Sequence, residues 1–351
     1  MYLALKEILH NKLRYSLVVV TVFAISFMVF FMTSLAIGLV RDNRTGADNW
    51  KSTGVVLSDY SNENITASFI SESQYKDCIS DDATPLGYMF AVTNKENNNE
   101  KVNISVFGQD WNSFIAPNLI KGHYPTNENE IVIDESMSNY GIDLGDKVQL
   151  NGSKSIYKVV GLTKDSKFFT VPVVYTSLDN YWKLQGTYNT SKSVSAIILK
   201  NNVNIEKDGL TQVTESDMIK NIPGYTAEVN VFIGMISAMI VITSLVVGIF
   251  VYIITIQKLS IYGIMRAQGI KSKTIVWSLF CQIFILSIIG VCLGLIGIWA
   301  VKFVLPKTLF FYSNWYAYIG LSIGIIFMAL LGGFISLPKV LKIDPIKAIG
   351  E

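Results

Sequence analysis

Long apolar segments alternate with polar ones along this chain. A helix needs about 20 apolar residues to cross the hydrocarbon core of a bilayer. Four segments are long enough and contain no Asp, Glu, Lys or Arg, namely residues 15–40, 231–256, 274–301 and 315–337. A buried helix of such length in a soluble protein normally keeps a polar face. The pattern therefore predicts a membrane protein with four transmembrane α-helices.

Pairs of glycines four residues apart occur in the last two of these segments. They are Gly290/Gly294 in the third segment and Gly320/Gly324 in the fourth. Small residues at this spacing let the backbones of two membrane helices approach closely. The pairs predict tight packing of the third helix against the fourth, and a glycine hinge that serves gating is the alternative.

The polar region between the first two helices, residues 41–230, shows a different pattern. Five runs have the composition and periodicity of β-strands, at residues 102–108, 130–134, 147–150, 155–162 and 171–177. Helices are predicted at residues 71–79, 135–140 and 178–184. The mixture predicts a large α+β domain inserted between helices 1 and 2, with a smaller lobe at about residues 120–175.

The charge of residues 41–230 differs from that of the rest of the chain, and this difference predicts how the chain is oriented in the membrane. Residues 41–230 contain 17 Lys and Arg against 24 Asp and Glu, whereas the remainder contains 12 against 3. The basic residues concentrate in the terminal segments and in residues 257–273, and cytoplasmic loops are enriched in Lys and Arg. We therefore expect a plasma-membrane protein with both termini in the cytoplasm. The acidic domain and the loop at residues 302–314 are expected outside.

The terminal segments are short and basic. Residues 1–14 combine an apolar face with a basic one, which is typical of a helix that lies in the inner membrane interface. A simple extension of the first transmembrane helix explains this pattern equally well. Residues 338–351 are predicted to form a cytoplasmic tail.

The sequence contains none of the motifs that would predict an enzyme. It has no G-x-x-x-x-G-K-[S/T] phosphate-binding loop, no H-E-x-x-H and no G-x-S-x-G. The predicted topology places the two histidines, His10 and His123, on opposite sides of the membrane. We therefore predict no catalytic residue, no metal site, no intrinsic cofactor and no nucleic-acid partner.

Residues 257–273 form a short basic segment between the second and third helices. On a helix, Ile261, Ile264 and Met265 share one face, and Lys258, Tyr262 and Arg266 share the other. Glycine at position 269 is suited to end the helix. This spacing predicts an amphipathic helix on which a cytoplasmic partner docks, with Tyr262 and Arg266 as its most exposed contacts. A basic loop that only maintains the topology is the alternative.

Several stretches resemble the FtsX/MacB-type permeases of ATP-binding cassette (ABC) systems, also called type VII. YGIMRAQGIKSKTI, at residues 262–275, is similar to the glycine-punctuated loop that contacts the ATPase in that family. LALKEILHNKLRY near the start and IDPIKAIGE at the end are similar to its terminal segments, and residues 120–164 resemble its MacB-like domain. We call residues 257–273 the coupling segment. The resemblance implies that a dimer of cytoplasmic ATPases binds ATP and docks at Lys258, Tyr262, Arg266, Gly269 and Lys271.

Within this family, the short length and the stretches TIQKLSIYGI and IPGYTAE look most like HrtB-type haem-efflux permeases. That resemblance implies a homodimer that pairs through helices 1 and 2. It also implies mechanotransmission, in which ATP hydrolysis moves the coupling segment and drives export of haem or a similar amphipathic compound from the outer leaflet. Membrane lipids would surround the dimer.

The first two helices carry residues that suit a haem-sized groove. Met28 and Met32, like Met235 and Met239, are spaced four apart and therefore share a helix face. Thioether and phenolate groups can bind haem iron, and aromatic rings can pack against the macrocycle. Ordinary apolar packing explains the same residues. The predicted binding residues are Met28, Phe31, Met32, Tyr225, Phe232, Met235 and Met239.

Two other functions fit the same organisation. An FtsX-like protein would transmit a signal to an extracellular partner and transport nothing. A related permease would expel antimicrobial peptides. Exposed apolar patches on the outer domain would favour signal transmission, whereas a methionine-lined lateral cleft would favour transport.

Overall fold

The computed structural model describes residues 12–96, 100–153, 155–186, 192–306 and 308–334, without the side chains of residues 14, 259 and 260. Most of the predicted N-terminal helix and the whole tail from residue 338 lie outside these ranges. Eight α-helices are described: α1 (Lys12–Asp48), α2 (Glu72–Tyr75), α3 (Leu178–Gln185), α4 (Glu215–Lys220), α5 (Tyr225–Gln257), α6 (Leu259–Ala267), α7 (Ser272–Val301) and α8 (Trp315–Phe334).

The described chain forms two compact units, one helical and one α/β, the latter built mainly from Gly38–Val229. Helices α1, α5, α7 and α8 are long and apolar enough to cross a membrane, as the sequence predicts. Helix α1 continues eight residues beyond the predicted end at residue 40, because its polar last turns belong to the α/β unit.

Glycines set the closest approach within the helical unit. A Cβ atom on Gly290 would lie 2.7 Å from Val22, and one on Gly294 would lie 2.3 Å from Ser26 Oγ, both on α1. The predicted packing of α7 against α8 is present, but Gly290 and Gly294 do not mediate it. These two glycines pack against α1 instead. A Cβ atom on Gly320 or Gly324 would have no other atom within 4 Å. This pair therefore mediates no close contact in the described structure.

A second close contact joins α5 to α8. A Cβ atom on Gly332 would lie 2.0 Å from the Ser244 carbonyl oxygen, and one on Gly248 would lie 2.8 Å from the Gly332 carbonyl oxygen. These two glycines lie on different helices, so they are not a pair spaced four residues apart within one helix. The sequence pattern therefore does not reveal this contact.

The α/β unit contains one mixed sheet of eleven described strands. They are β1 (Gly54–Ser58), β2 (Ala83–Lys95), β3 (Val102–Gln109), β4 (Leu119–Gly122), β5 (Glu130–Asp134), β6 (Lys147–Leu150), β7 (Ile156–Thr163), β8 (Lys167–Phe168), β9 (Val171–Ser177), β10 (Ala196–Leu199) and β11 (Leu210–Val213). The main path runs β11-β1-β10-β2-β3-β9-β5-β7-β4. The five predicted strands are all present, as β3, β5, β6, β7 and β9.

Two large apolar clusters stabilise this unit, beside a smaller third cluster around Ile197. One centres on Trp50 and Phe107, and the other gathers the strands on either side of Ile133 and Val159. The second cluster draws on β2 and β3 as well as on the predicted smaller lobe, and both clusters belong to one compact unit. That residues 120–175 form a separate smaller lobe stays a prediction.

Candidate functional site

The coupling segment begins at a break between α5 and α6. Lys258 leaves the helical conformation at φ −108° and ψ 8°, and the chain then resumes its helix with a hydrogen bond from the Tyr262 amide to the Lys258 carbonyl. Helix α6 ends at Ala267, and Gly269 adopts φ +87°. Glycine adopts this left-handed conformation without the steric cost of a Cβ atom. The predicted helix and its glycine stop are therefore both present.

The side chain of Lys258 points into the helical unit and keeps only 6% of its surface exposed. Its Nζ donates a hydrogen bond to the Tyr15 hydroxyl at 2.9 Å, and that hydroxyl donates to Gln282 Oε1 at 2.9 Å. Both partners are buried. A buried charge is costly unless it is hydrogen-bonded, so this network fixes the start of α6 against α1 and α7.

Tyr262 is also buried, with 2% of its surface exposed. It packs against Ile275 and Leu279, which lie in the first two turns of α7. The expectation that Tyr262 is an exposed contact is therefore wrong. The inward orientation is favoured because it removes the apolar surface of the Tyr262 ring from water.

The opposite face of α6 is the exposed one. Ile261 and Ile264 keep 49% and 48% of their surfaces exposed, and Gln268 continues the same face. Arg266 is half-buried, whereas Lys271 is exposed just before α7. The predicted assignment of faces is thus reversed. The surface available to a partner is apolar along α6 and basic at its end.

The predicted binding residues divide into surface and packed positions. Met28 and Met235 are exposed on α1 and α5, whereas Met32 is half-buried. Phe31 and Met239 are partly buried against the core of the helical unit. Phe232 is half-buried as well. The four methionines, Met28, Met32, Met235 and Met239, are called the methionine set below.

Tyr225 belongs to different surroundings. It packs against the core cluster of the α/β unit, the one that contains Trp50 and Phe107. Tyr225 is the first residue of α5 and therefore lies ten residues, or about 15 Å of helix, before Met235. The contact between Tyr225 and the ligand of the methionine set stays a prediction.

Comparison with known proteins identifies the family. A family model described as the FtsX-like permease C-terminal region matches residues 233–345, and a model of the MacB-like periplasmic core domain matches residues 16–208. A Staphylococcus epidermidis protein named as the permease protein HrtB of a hemin transport system is 34% identical. The match covers all of this chain and 99% of that protein. The chain belongs to the FtsX/MacB-type ABC transporter permeases.

A second full-length relative agrees with that assignment, and one solved structure shows a weaker likeness. A Staphylococcus haemolyticus protein with the same HrtB name is 29% identical over all of this chain and 99% of its own length. The crystal structure of the periplasmic region of MacB from Actinobacillus actinomycetemcomitans aligns with a TM-score of 0.34 and 14% identity. It covers 49% of this chain and 94% of that chain.

The predicted architecture of the permease is confirmed. Four candidate membrane helices and a MacB-type α/β domain between the first and second of them are present. The resemblance to HrtB-type permeases is confirmed by the full-length relatives. The chain is thus a bacterial membrane protein and the permease component of an ABC transporter, which requires a partner ATPase.

Proposed function

We propose that this permease exports haem, or a similar amphipathic compound, as a homodimer coupled to a separate cytoplasmic ATPase. The observation that carries the proposal is the exposure of two thioethers, Met28 and Met235, on the two helices that flank the MacB-like domain in sequence. Soft thioether sulfur is a ligand for haem iron, and its methylene groups pack against an apolar macrocycle.

The methionine set lies at matching depths along its two helices. The α/β unit begins at Gly38 and ends at Val229. Met32 and Met235 are each six residues from that boundary, about 9 Å along a helix, and Met28 and Met239 are each ten residues from it, about 15 Å. The two pairs can therefore face one ligand at one depth in the membrane.

The exposed first half of α5 leaves room for a second copy of the chain. Val231, Ile233, Val241 and Ile242 are all exposed large apolar residues of this helix. An apolar surface on membrane helices meets either lipid or another helix. In the proposed homodimer, α1 and α5 of two copies enclose a groove that haem enters sideways from the outer leaflet.

The proposed orientation follows the charges, with the coupling segment in the cytoplasm and the MacB-like domain outside. The ATPase dimer binds ATP and docks on the exposed face of α6, with Ile261 and Ile264 at its centre. Closure of the ATPases moves α6, and the network of Lys258, Tyr15 and Gln282 transmits the movement to α1 and α7. The four predicted spans contain no Asp, Glu, Lys or Arg, so a proton relay has no support.

Titration of the purified permease with haem tests the binding site. Replacing all four members of the methionine set by Leu keeps the apolar volume nearly constant and removes the thioethers. We expect the Soret band of bound haem to shift and the affinity to fall at least tenfold. Met328→Leu, at a half-buried position of α8, is the matched control. An unchanged spectrum and affinity in the fourfold variant would exclude the methionines as ligands.

A second function has one observation in its favour. Three aromatic side chains of the described α/β unit, Tyr60, Phe69 and Phe90, keep more than half of their surfaces exposed, and exposed apolar surface is typical of protein-binding sites. This fits an FtsX-like protein that signals to an extracellular partner. In that case haem would not stimulate ATP hydrolysis, and alanine at all three positions would abolish partner binding. A peptide exporter would instead respond to antimicrobial peptides and not to haem.

A further inference from the structure

An apolar cleft opens between α7 and α8 near the start of α7. It has a volume of about 400 Å³ and is lined by Trp277, Phe280, Cys281, Phe284, Ile285 and Leu330. Trp277 keeps 67% of its surface exposed. The rings of Phe280 and Phe334 meet edge to face, with 4.9 Å between their centroids. None of these residues belongs to the coupling segment or to the methionine set.

A row of residues on α7 connects this cleft to a lysine. Lys273, Trp277 and Phe284 are spaced four and seven residues apart, which places them on one face of the helix. Along the axis, Lys273 stands about 6 Å before Trp277, and Phe284 about 10 Å beyond it. Lys273 and Lys271 are both exposed. The start of α7 therefore presents two cations, and the face that carries Lys273 continues into the apolar cleft along the next turns.

The surroundings favour an anion at these lysines. The sequence has no Asp or Glu from Val229 to Ile343, so the coupling segment, α7 and α8 themselves bring no carboxylate that would pair with them. Lysines at the membrane surface attract anionic headgroups, and tryptophan prefers the level of the headgroups. The hydrocarbon core beneath supplies acyl chains. Cations, tryptophan and cleft thus follow the order of phosphate, glycerol and acyl chain in a phospholipid.

We propose that this cleft is a binding site for an anionic phospholipid. One acyl chain lies between α7 and α8, and the phosphate pairs with Lys273 and Lys271. The site requires that α7 spans the membrane, but it does not depend on which compound the permease transports. Each lysine is expected to favour an anionic over a zwitterionic lipid about fivefold.

Quenching of Trp277 by brominated lipids tests the proposal. Trp299→Phe and Trp315→Phe make Trp277 the one tryptophan left in the predicted transmembrane helices, since the other three are Trp50, Trp111 and Trp182. The full-length variant is reconstituted in phosphatidylcholine that contains increasing fractions of brominated phosphatidylglycerol or brominated phosphatidylcholine. We expect half-maximal quenching at an at least fivefold lower fraction of the anionic lipid.

Charge variants in the same background complete the test. Lys271→Gln combined with Lys273→Gln should bring the two lipids to equal quenching, whereas Lys302→Gln, just after the other end of α7, should leave the preference unchanged. Equal quenching without the lysine substitutions, or a preference that survives the loss of both lysines, would overturn the proposal. Weak quenching by both lipids would mean that protein covers the cleft, and would also overturn it.

Discussion

The ammonium group of Lys258 donates a hydrogen bond to the hydroxyl of Tyr15 at 2.9 Å, and the cation also lies 5.3 Å from the centre of that ring. The same hydroxyl donates to Gln282, so one buried network joins the start of α6 to α1 and α7. Buried polar groups tolerate little displacement, because a lost partner leaves a desolvated group. In the proposed mechanism, movement of the coupling segment reaches the transmembrane helices at this network.

Removing the central hydroxyl is the first prediction. Tyr15→Phe takes away an acceptor of Lys258 and a donor to Gln282, and should lower the free energy of unfolding by about 1–3 kcal/mol. Thermal unfolding of the purified permease in detergent measures this. Tyr316→Phe removes a hydroxyl from a residue that is 90% exposed and should leave the midpoint unchanged. Equal midpoints for the wild type and Tyr15→Phe would show that the network does not stabilise the fold.

The glycine contact between α1 and α7 gives the second prediction. Gly294→Ala places a methyl group 2.3 Å from Ser26 Oγ, and such overpacking costs about 1–3 kcal/mol. Gly324→Ala is the same substitution at a position with nothing within 4 Å. We expect a lower unfolding midpoint for the first variant and an unchanged midpoint for the second. The opposite order would contradict the packing of α7 against α1.

The glycines also show how far the sequence predicts the packing. Their spacing indicates that two helix backbones approach closely, but a spacing does not name the neighbouring helix. The structure pairs Gly290 and Gly294 with α1, because Val22 and Ser26 occupy the space that their missing side chains leave. A partner across more than 250 residues of sequence is a tertiary property, and one helix alone does not encode it.

The missed strand β2 has a local cause. Its residues Ala83–Lys95 include Pro85 and Gly87, which normally argue against a strand. In the structure, Gly87 pairs with Gly108 across β2 and β3, and the ring of Tyr181 lies where a Cβ atom on either glycine would be. The glycines therefore serve the packing of α3 on the sheet. Strands β5, β6 and β7 carry short apolar or alternating runs bounded by polar residues, and this pattern alone predicts them.

The coupling segment was predictable as an element but not in its orientation. Helical spacing predicts two faces, and Gly269 predicts where the helix stops. Which face turns inward depends on Ile275 and Leu279 of α7, which receive Tyr262. Lys258 adds to this, since Tyr15 and Gln282 supply its buried partners. The exposed apolar face of α6 is consequently visible only once α7 is folded beside it.

A buried carboxyl group predicts the pH dependence of stability. Burial raises the pKa of Glu215 above its ordinary value of 4.5, and Asp48 adds to the rise, although the hydrogen bond from Ser52 and the charge of Arg44 lower it. The folded protein therefore binds more protons than the unfolded chain between pH 4.5 and the raised pKa. This contribution to stability is fully present below pH 4.5 and is lost as the pH rises through that window.

Glu215→Gln removes this titration. The free energy of unfolding, measured with urea at pH 5 and pH 8, should depend less on pH in the variant than in the wild type. Glu135→Gln removes an exposed carboxyl group and should leave the wild-type difference in place. A Glu215→Gln variant that loses as much stability between pH 5 and pH 8 as the wild type would refute the assignment.

The most direct test of the central claim is haem-stimulated ATP hydrolysis by the permease reconstituted with its partner ATPase. We expect haem to stimulate hydrolysis in the wild type and in Ile120→Glu, which places a charge at an exposed isoleucine of the α/β unit. Ile264→Glu places the same charge on the exposed face of α6 and should reduce the stimulation at least tenfold, with membrane insertion intact. Full stimulation in Ile264→Glu, or none in the wild type, would contradict a haem exporter driven through α6.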